Sequence, residues 1–182
     1  RVADLDAYIR DGSEAAAKRL VELIRDRGWH LSTGFIGVRH LNPVLTMTGH
    51  NDVAYRLLLN DTFPSWGYSI KHGATTIWER WDGWNEDKGF QDPGMNSFNH
   101  YSLGSVGEWL YRFAAGIETA SGSQGYKKIV VHPYPDKKLG YVKATFESMY
   151  GPIASAWKLD GSGLTMDVTI PANTTATIYV PS

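Results

Sequence analysis

As far as about residue 121, apolar residues recur every three or four positions; beyond it they recur at every second position. In DGSEAAAKRLVELIRDRG, residues 11–28, Ala16, Leu20, Leu23 and Ile24 form a helical line. Asp11 stands at the cap, Glu14 at the third position of a capping box, and Gly28 at the stop. After an extended HLSTGF segment, residues 38–47 and 52–59 give two short helical patterns joined by Thr48-Gly49-His50-Asn51, which predicts a helical hairpin. Pro64 opens a further brief helix ending near Gly73, and residues 74–81, with Thr75, Thr76 and Ile77 in succession, are predicted to be extended. A polar loop over 82–96 precedes a longer helix capped by Ser97, whose buried stripe is Phe98, Tyr101, Val106, Trp109, Leu110, Phe113 and Ile117.

The period then shortens. Strands are predicted over 128–132, 141–150, 153–159, 164–170 and 175–180, the second and third joined by a two-residue Gly151-Pro152 turn. Short strands with close turns predict antiparallel pairing throughout. The chain therefore reads as mainly α and then β, with a helical domain over residues 1–121 and a small antiparallel β module over 122–182 joined by the weak linker Ser121-Gly122-Ser123-Gln124-Gly125.

Composition narrows the function. The 182 residues are 42% apolar and 20% charged, enough for one ordinary domain or a small two-part chain with a core. Lys and Arg number 18 against 19 Asp and Glu, a net charge of -1, so there is no basic field to hold nucleic acid or an anionic membrane. No apolar run approaches the roughly 20 residues that span a bilayer. Without cysteine there is no disulfide framework or thiolate zinc site, and the compartment stays open. The six histidines lack a spacing that would set two ligands on one face, so no metal is expected. No G-x-S-x-G elbow, Walker loop or dinucleotide fingerprint occurs.

Aromatic residues, by contrast, reach 13%, and four of the seven tryptophans fall in one 19-residue window from Trp66 to Trp84. Within HGATTIWERWDGWNEDKGFQD, residues 72–92, Trp78, Trp81 and Trp84 are interleaved with Glu79, Asp82, Glu86, Asp87 and Asp92. Indole faces pack on the C–H faces of sugars while carboxylates bind hydroxyls and move protons, so this mixture suits a carbohydrate site. In an extended segment Glu79 lies between Ile77 and Trp81 on one face. Two readings stay open: a desolvated functional carboxylate, or a structural pair with Arg80 among tryptophans that fill core. His100, directly after the acidic loop, either aims its ring at a ligand hydroxyl or satisfies a loop carbonyl.

The run TGFIGVRHLNPVLTMTGHNDVAYRLLLNDTFPSWGYSIKHGATTIWERWDGW, then MNSFNHYSLGSVGEWLYR and IVVHPYP, resembles the C-terminal part of bacterial α-L-rhamnosidases of glycoside hydrolase family 78. The resemblance covers most of the chain and implies part of an (α/α)6 barrel of helical hairpins followed by a β-sandwich. It implies hydrolysis of terminal α-L-rhamnose from rhamnose-containing glycosides with inversion, which needs an acid, a base and water and no cofactor. By the same resemblance Glu79, in the WERW motif, is the water-activating base and His100, in FNHY, contacts the sugar; Trp78, Trp81 and Trp84 are candidates for the wall of the sugar site. The family's general acid lies upstream, and nothing in residues 1–71 matches its segment. Residue 1 is accordingly expected to be a truncation point, and the partner to be the missing N-terminal part of the same enzyme, without which the fragment is expected to be inactive. Two alternatives are a non-catalytic carbohydrate-binding or structural protein and another (α/α)6-barrel glycosidase.

Overall fold

A computed structural model describes residues 14–161 and 163–181, so the Asp11 cap lies outside the described residues. The chain forms two compact units that divide between Val106 and Gly107. In the first, helix α1 (Glu14–Asp26) is built from strong helix formers and carries exposed Glu14–Lys18 and Arg19–Glu22 pairs. Its end is a Schellman turn: Gly28 takes φ +66, with Gly28 N–H donating to Arg25 O and Trp29 N–H to Ile24 O. Of the predicted line Ile24 is buried and Leu20 half-buried, whereas Ala16 and Leu23 face outward and Ala17 is buried in place of Ala16.

Helices α2 (Phe35–Met47) and α3 (Asn51–Leu58) form the predicted hairpin. The same device joins them: Gly49 at φ +83, and His50 N–H bonded to Leu45 O at 2.7 Å. Val38, Leu41 and Leu45 from α2 and Val53, Ala54, Tyr55 and Leu57 from α3 are buried. Helix α4 (Trp66–Lys71) starts on Ser65, whose Oγ accepts Tyr68 N–H at 2.9 Å. Its Trp66 donates Nε1–H to Leu103 O at 2.8 Å, fastening α4 to a 3-10 turn over Ser102–Ser105.

Two expectations change in the region that follows. The 82–96 loop contains a small hairpin of β1 (Trp84–Asn85) and β2 (Gly89–Phe90), and a 3-10 turn over Pro93–Met95. The long helix predicted from Ser97 begins later and is of mixed type: the 3-10 turn over Ser102–Ser105 runs straight into α5 (Val106–Trp109) and a π-turn over Leu110–Ala114. The backbone at 97 and 100 is spent on another segment, described below, and is not free to build a helix. Tyr101, expected in the buried stripe, is 84% exposed, whereas Trp109 and Phe113 are buried.

The second unit is a β module of two three-stranded sheets. One has the order β3-β4-β8, from β3 (Ile117–Thr119), β4 (Lys128–Val131) and β8 (Thr175–Ile178); the other is the meander β5 (Tyr141–Ser148), β6 (Gly151–Asp160) and β7 (Gly163–Thr169). Pairing is antiparallel as expected, except that β4 and β8 run parallel. The hairpin turn between β5 and β6 is Met149-Tyr150, with Gly151 already paired to Ser148, so the Gly151-Pro152 turn is displaced by two residues. Ile117, Ile129 and Val131 from the first sheet meet Ile153 of the second, packed round by Val142, Phe146, Met166 and Val168.

Ile117 belongs to β3 rather than to a helix because Gly116 ends the π-turn. It has φ +78, and a Cβ there would lie 2.2 Å from Pro133 N. Two side chains of β6 cap the terminated helix: Ser155 Oγ donates to Ala115 O at 2.7 Å and Trp157 Nε1–H to Ala114 O at 2.6 Å, both fully buried. Gly116→Ala should therefore destabilise the protein by about 4 kcal/mol or more, combining backbone strain with a clash against chain. Ser155→Ala, which orphans one buried carbonyl, should cost about 1 to 2 kcal/mol. Urea unfolding followed by tryptophan fluorescence checks both, and a Gly116→Ala protein as stable as wild type would contradict the close approach.

Candidate active site

Residues 74–81 carry no regular strand, but their backbone is held as if they did. Glu79 N–H donates to Ser97 O at 2.8 Å, and His100 N–H donates to Ile77 O at 2.8 Å. Two further bonds use side chains: the Thr76 hydroxyl donates to Phe98 O, and Ser97 N–H donates to Glu79 Oε2 at 2.7 Å. Four hydrogen bonds thus clasp the GATTIWERW and NSFNHY stretches, bringing the two predicted site residues onto adjacent runs of backbone. The 17 residues between Glu79 and Ser97 close into a loop, tied at its base by Asn96 Nδ2–H to Gly83 O at 2.9 Å.

Glu79 is half-buried and lines a cavity of about 440 Å³. One carboxylate oxygen is committed to Ser97; Oε1 has no hydrogen-bond partner among the described residues. The ion-pair reading of Glu79 does not describe this arrangement, because Arg80 forks onto Asp82 instead, with Nε–Oδ1 at 2.9 Å and Nη2–Oδ2 at 2.8 Å. The guanidinium beside it holds the Asp82 carboxyl below the usual carboxylate range, and Asp82 in turn raises Arg80. Both side chains of the fork also line the cavity.

Trp81 forms part of the cavity wall, pinned by Nε1–H to Thr33 O at 2.8 Å and by an edge contact with Trp66 at 5.3 Å. Trp78 points elsewhere: it is 8% exposed and meets Phe98 edge-on, so its indole holds the clasp from inside. Trp84, on β1, packs against Tyr68 and His72. The His100 ring stacks on Phe35 at 4.9 Å with 17° between planes, and on Tyr101 at 5.1 Å with 10°. Its Nδ1 accepts Ser102 N–H at 3.3 Å, which in the neutral ring assigns the proton to Nε2 and makes that atom a donor. Phe35 itself lines the cavity.

Sequence reasoning missed Phe35, Tyr101 and Ser97 as parts of this arrangement. Phe35 stacks on His100 from far along the chain, a contact that leaves no periodic trace; Tyr101, next to His100, falls on a periodic line that predicts burial, and Ser97, where a cap is predicted, supplies an amide instead. Among the described residues no group of three acidic, His or Cys side chains is arranged to hold a metal ion, and no helix is long and apolar enough to cross a membrane.

Residues 7–114 match the bacterial alpha-L-rhamnosidase 6 hairpin glycosidase domain, and residues 116–182 match the bacterial alpha-L-rhamnosidase C-terminal domain. The chain belongs to the bacterial α-L-rhamnosidase family. An α-L-rhamnosidase of Streptomyces avermitilis is 53% identical over 169 residues, 93% of this chain, and one of Formosa agariphila is 44% identical over 177 residues. The chain spans only 16% and 19% of the lengths of these two rhamnosidases. A crystal structure of the Streptomyces avermitilis α-L-rhamnosidase complexed with L-rhamnose superimposes with a TM-score of 0.87, covering 92% of this chain and 16% of that one. The native rhamnosidase of Aspergillus terreus, at 36% identity, gives 0.85 over 92% of this chain and 19% of that one.

The Arg80–Asp82 fork makes a prediction about pH. Because the folded carboxyl is depressed, its stabilisation is fully present above the ordinary aspartate range, about pH 4, and is lost as pH falls through the lower folded value. The melting temperature of wild type should exceed that of Asp82→Asn by a constant, small amount between pH 5 and 8. Below about pH 4 the gap should close. A gap that widens on acidification would refute the pairing.

Proposed function

We propose that this chain forms part of an inverting α-L-rhamnosidase in which Glu79 is the general base. The single observation that supports this most is the state of its carboxylate: one oxygen fixed by the Ser97 amide, the other unpartnered, on a side chain lining a cavity walled by Trp81. A base must be oriented and must keep a lone pair for the proton it takes. In the reaction water adds its oxygen to the anomeric carbon as Glu79 removes its proton, while the bond to the leaving oxygen breaks and that oxygen is protonated by a second carboxylic acid. Inversion calls for about 6.5 to 9.5 Å between the two groups, room for the water. The acid is assigned to the remainder of the enzyme, because the chain spans 16% and 19% of the relatives' lengths and nothing in residues 1–71 resembles the segment that carries the acid in the family.

His100 is the sugar contact, its Nε2–H donating to a hydroxyl while Phe35 and Tyr101 fix the plane of the ring. Trp81 supplies the apolar wall; Trp78 supports the motif from within, and Trp84 packs behind, on Tyr68 and His72.

In the intact protein, Glu79→Gln keeps the size of the side chain and an acceptor for Ser97 but removes the base. Hydrolysis of an aryl α-L-rhamnoside should fall by about 10²-fold to 10⁴-fold, and near-normal turnover would remove Glu79 from the role. His100→Ala should weaken binding of free L-rhamnose in calorimetry by about tenfold. Unchanged affinity would exclude the contact.

A further inference from the structure

The residue next to Glu79 in the chain is a cation that lines the same cavity, yet it is tied to a different carboxylate. We propose that Asp82 is a positioning residue for the base: by holding Arg80 in a two-point fork it keeps the guanidinium off Oε1 of Glu79, so that this oxygen retains the proton affinity that the reaction requires. This rests on the reading of Glu79 as the general base and adds what preserves its strength.

A cation beside a general base works against it. An opposite charge within about 4 to 6 Å lowers a carboxyl pKa by about 1 to 3, and a weaker base takes a proton from water less readily. Among the described residues that wall the cavity, Glu79, Arg80 and Asp82 alone carry charge, so the guanidinium has two carboxylates to choose between. They are not equivalent acceptors. Glu79 has Oε2 committed to the Ser97 amide at 2.7 Å and can offer a single oxygen. Asp82 offers both, to Nε at 2.9 Å and to Nη2 at 2.8 Å. A planar guanidinium matched to two oxygens is held more strongly and in a more definite direction than one held by a single bond, and the cation settles on Asp82.

The surrounding charges support the same choice. Arg80 is raised first by its hydrogen bonds to Asp82 and, in smaller part, by the charges of Glu79 and Asp92. Asp92 itself accepts Gly94 N–H at 2.8 Å on the neighbouring 3-10 turn. Asp82 stays ionised chiefly through its hydrogen bond to Arg80, with Lys88 of the β1–β2 turn acting in the same direction. From the clasped run His100 brings a ring stacked on Phe35, with Nδ1 accepting Ser102 N–H. The fork is a neutral pair, which leaves Glu79 as the net charge of the cavity among the described side chains.

The test is the pH profile of kcat/KM for 4-nitrophenyl α-L-rhamnoside on the intact protein and three variants, because its acid limb reports the base of the free enzyme. Glu79→Gln first assigns the limb, which it should abolish. Asp82→Asn releases Arg80 to Glu79, so the acid limb should move to lower pH by about 1 and the plateau should fall by about threefold to tenfold. Arg80→Gln leaves the Asp82 carboxylate unpaired beside Glu79, and the limb should move to higher pH by about 1. The double variant Arg80→Gln/Asp82→Asn restores neutrality and should return the limb to its wild-type position. A purely structural loss would lower the plateau without moving the limb in opposite directions. An unmoved limb in Asp82→Asn, or a double variant that stays where Asp82→Asn put it, would overturn the role of Asp82 while the role of Glu79 stands. Should Asp82→Asn fail to fold, the upward move in Arg80→Gln and its reversal in the double variant decide the matter, and their absence counts against the proposal. A wild-type acid limb in Glu79→Gln would show that Glu79 is not the base, and the role of Asp82 would fall with it.

Discussion

The site depends on one backbone clasp. The segment through Ile77 and Glu79 and the segment through Ser97 and His100 are too short and irregular to persist as strands, yet each supplies the hydrogen-bonding groups the other lacks. The Glu79 carboxylate is itself a member of this clasp, so the same bond that holds the loop also fixes the orientation of the proposed base. Trp78 and Phe98 close it from inside, and Gly104 allows it to lie close, with Ile77 only 3.0 Å from where a Cβ would be. Function and local folding therefore draw on the same few atoms, and the loop cannot be loosened without turning the carboxylate.

Rigidity of this kind is laid around the site. Trp81 and Trp66 are each pinned by an indole N–H to a backbone carbonyl, and the hairpin over residues 84–90 is pinned by a tyrosine hydroxyl. Each anchor satisfies a polar group that would otherwise be costly to bury, and each fixes an aromatic face as a consequence. The β module uses the same economy at Ser155 and Trp157, whose side chains take up the carbonyls left open where the π-turn stops.

How much of this could be read from residue order differs from element to element. The α2–α3 hairpin and the meander were legible because 13 residues of helix or 8 of strand repeat a period often enough to declare it. β1 and β2, at two residues each, repeat nothing. Ile117 fell on the helical stripe by coincidence of spacing, and the informative residue was its neighbour, Gly116, whose close approach to Pro133 no pattern discloses. Glu79 and His100 stood out through their motifs, whereas the stacking of Phe35 on His100 depends on tertiary placement alone. Tyr101 is exposed although it falls on the periodic line, because the backbone beside it is engaged by the Ile77–Glu79 segment and does not continue that line as a helix.

Pairing order in the β3-β4-β8 sheet separates neighbours in space from neighbours in synthesis. Lys128 faces Thr175 across the parallel ladder, with the whole meander lying between them in the chain. During translation β4 must therefore wait with one flank of its amides and carbonyls unpaired until the meander has emerged and β8 arrives. The late strand is the seal on that exposed edge, and the time it takes to arrive sets how long a nascent chain offers a template for association with its neighbours.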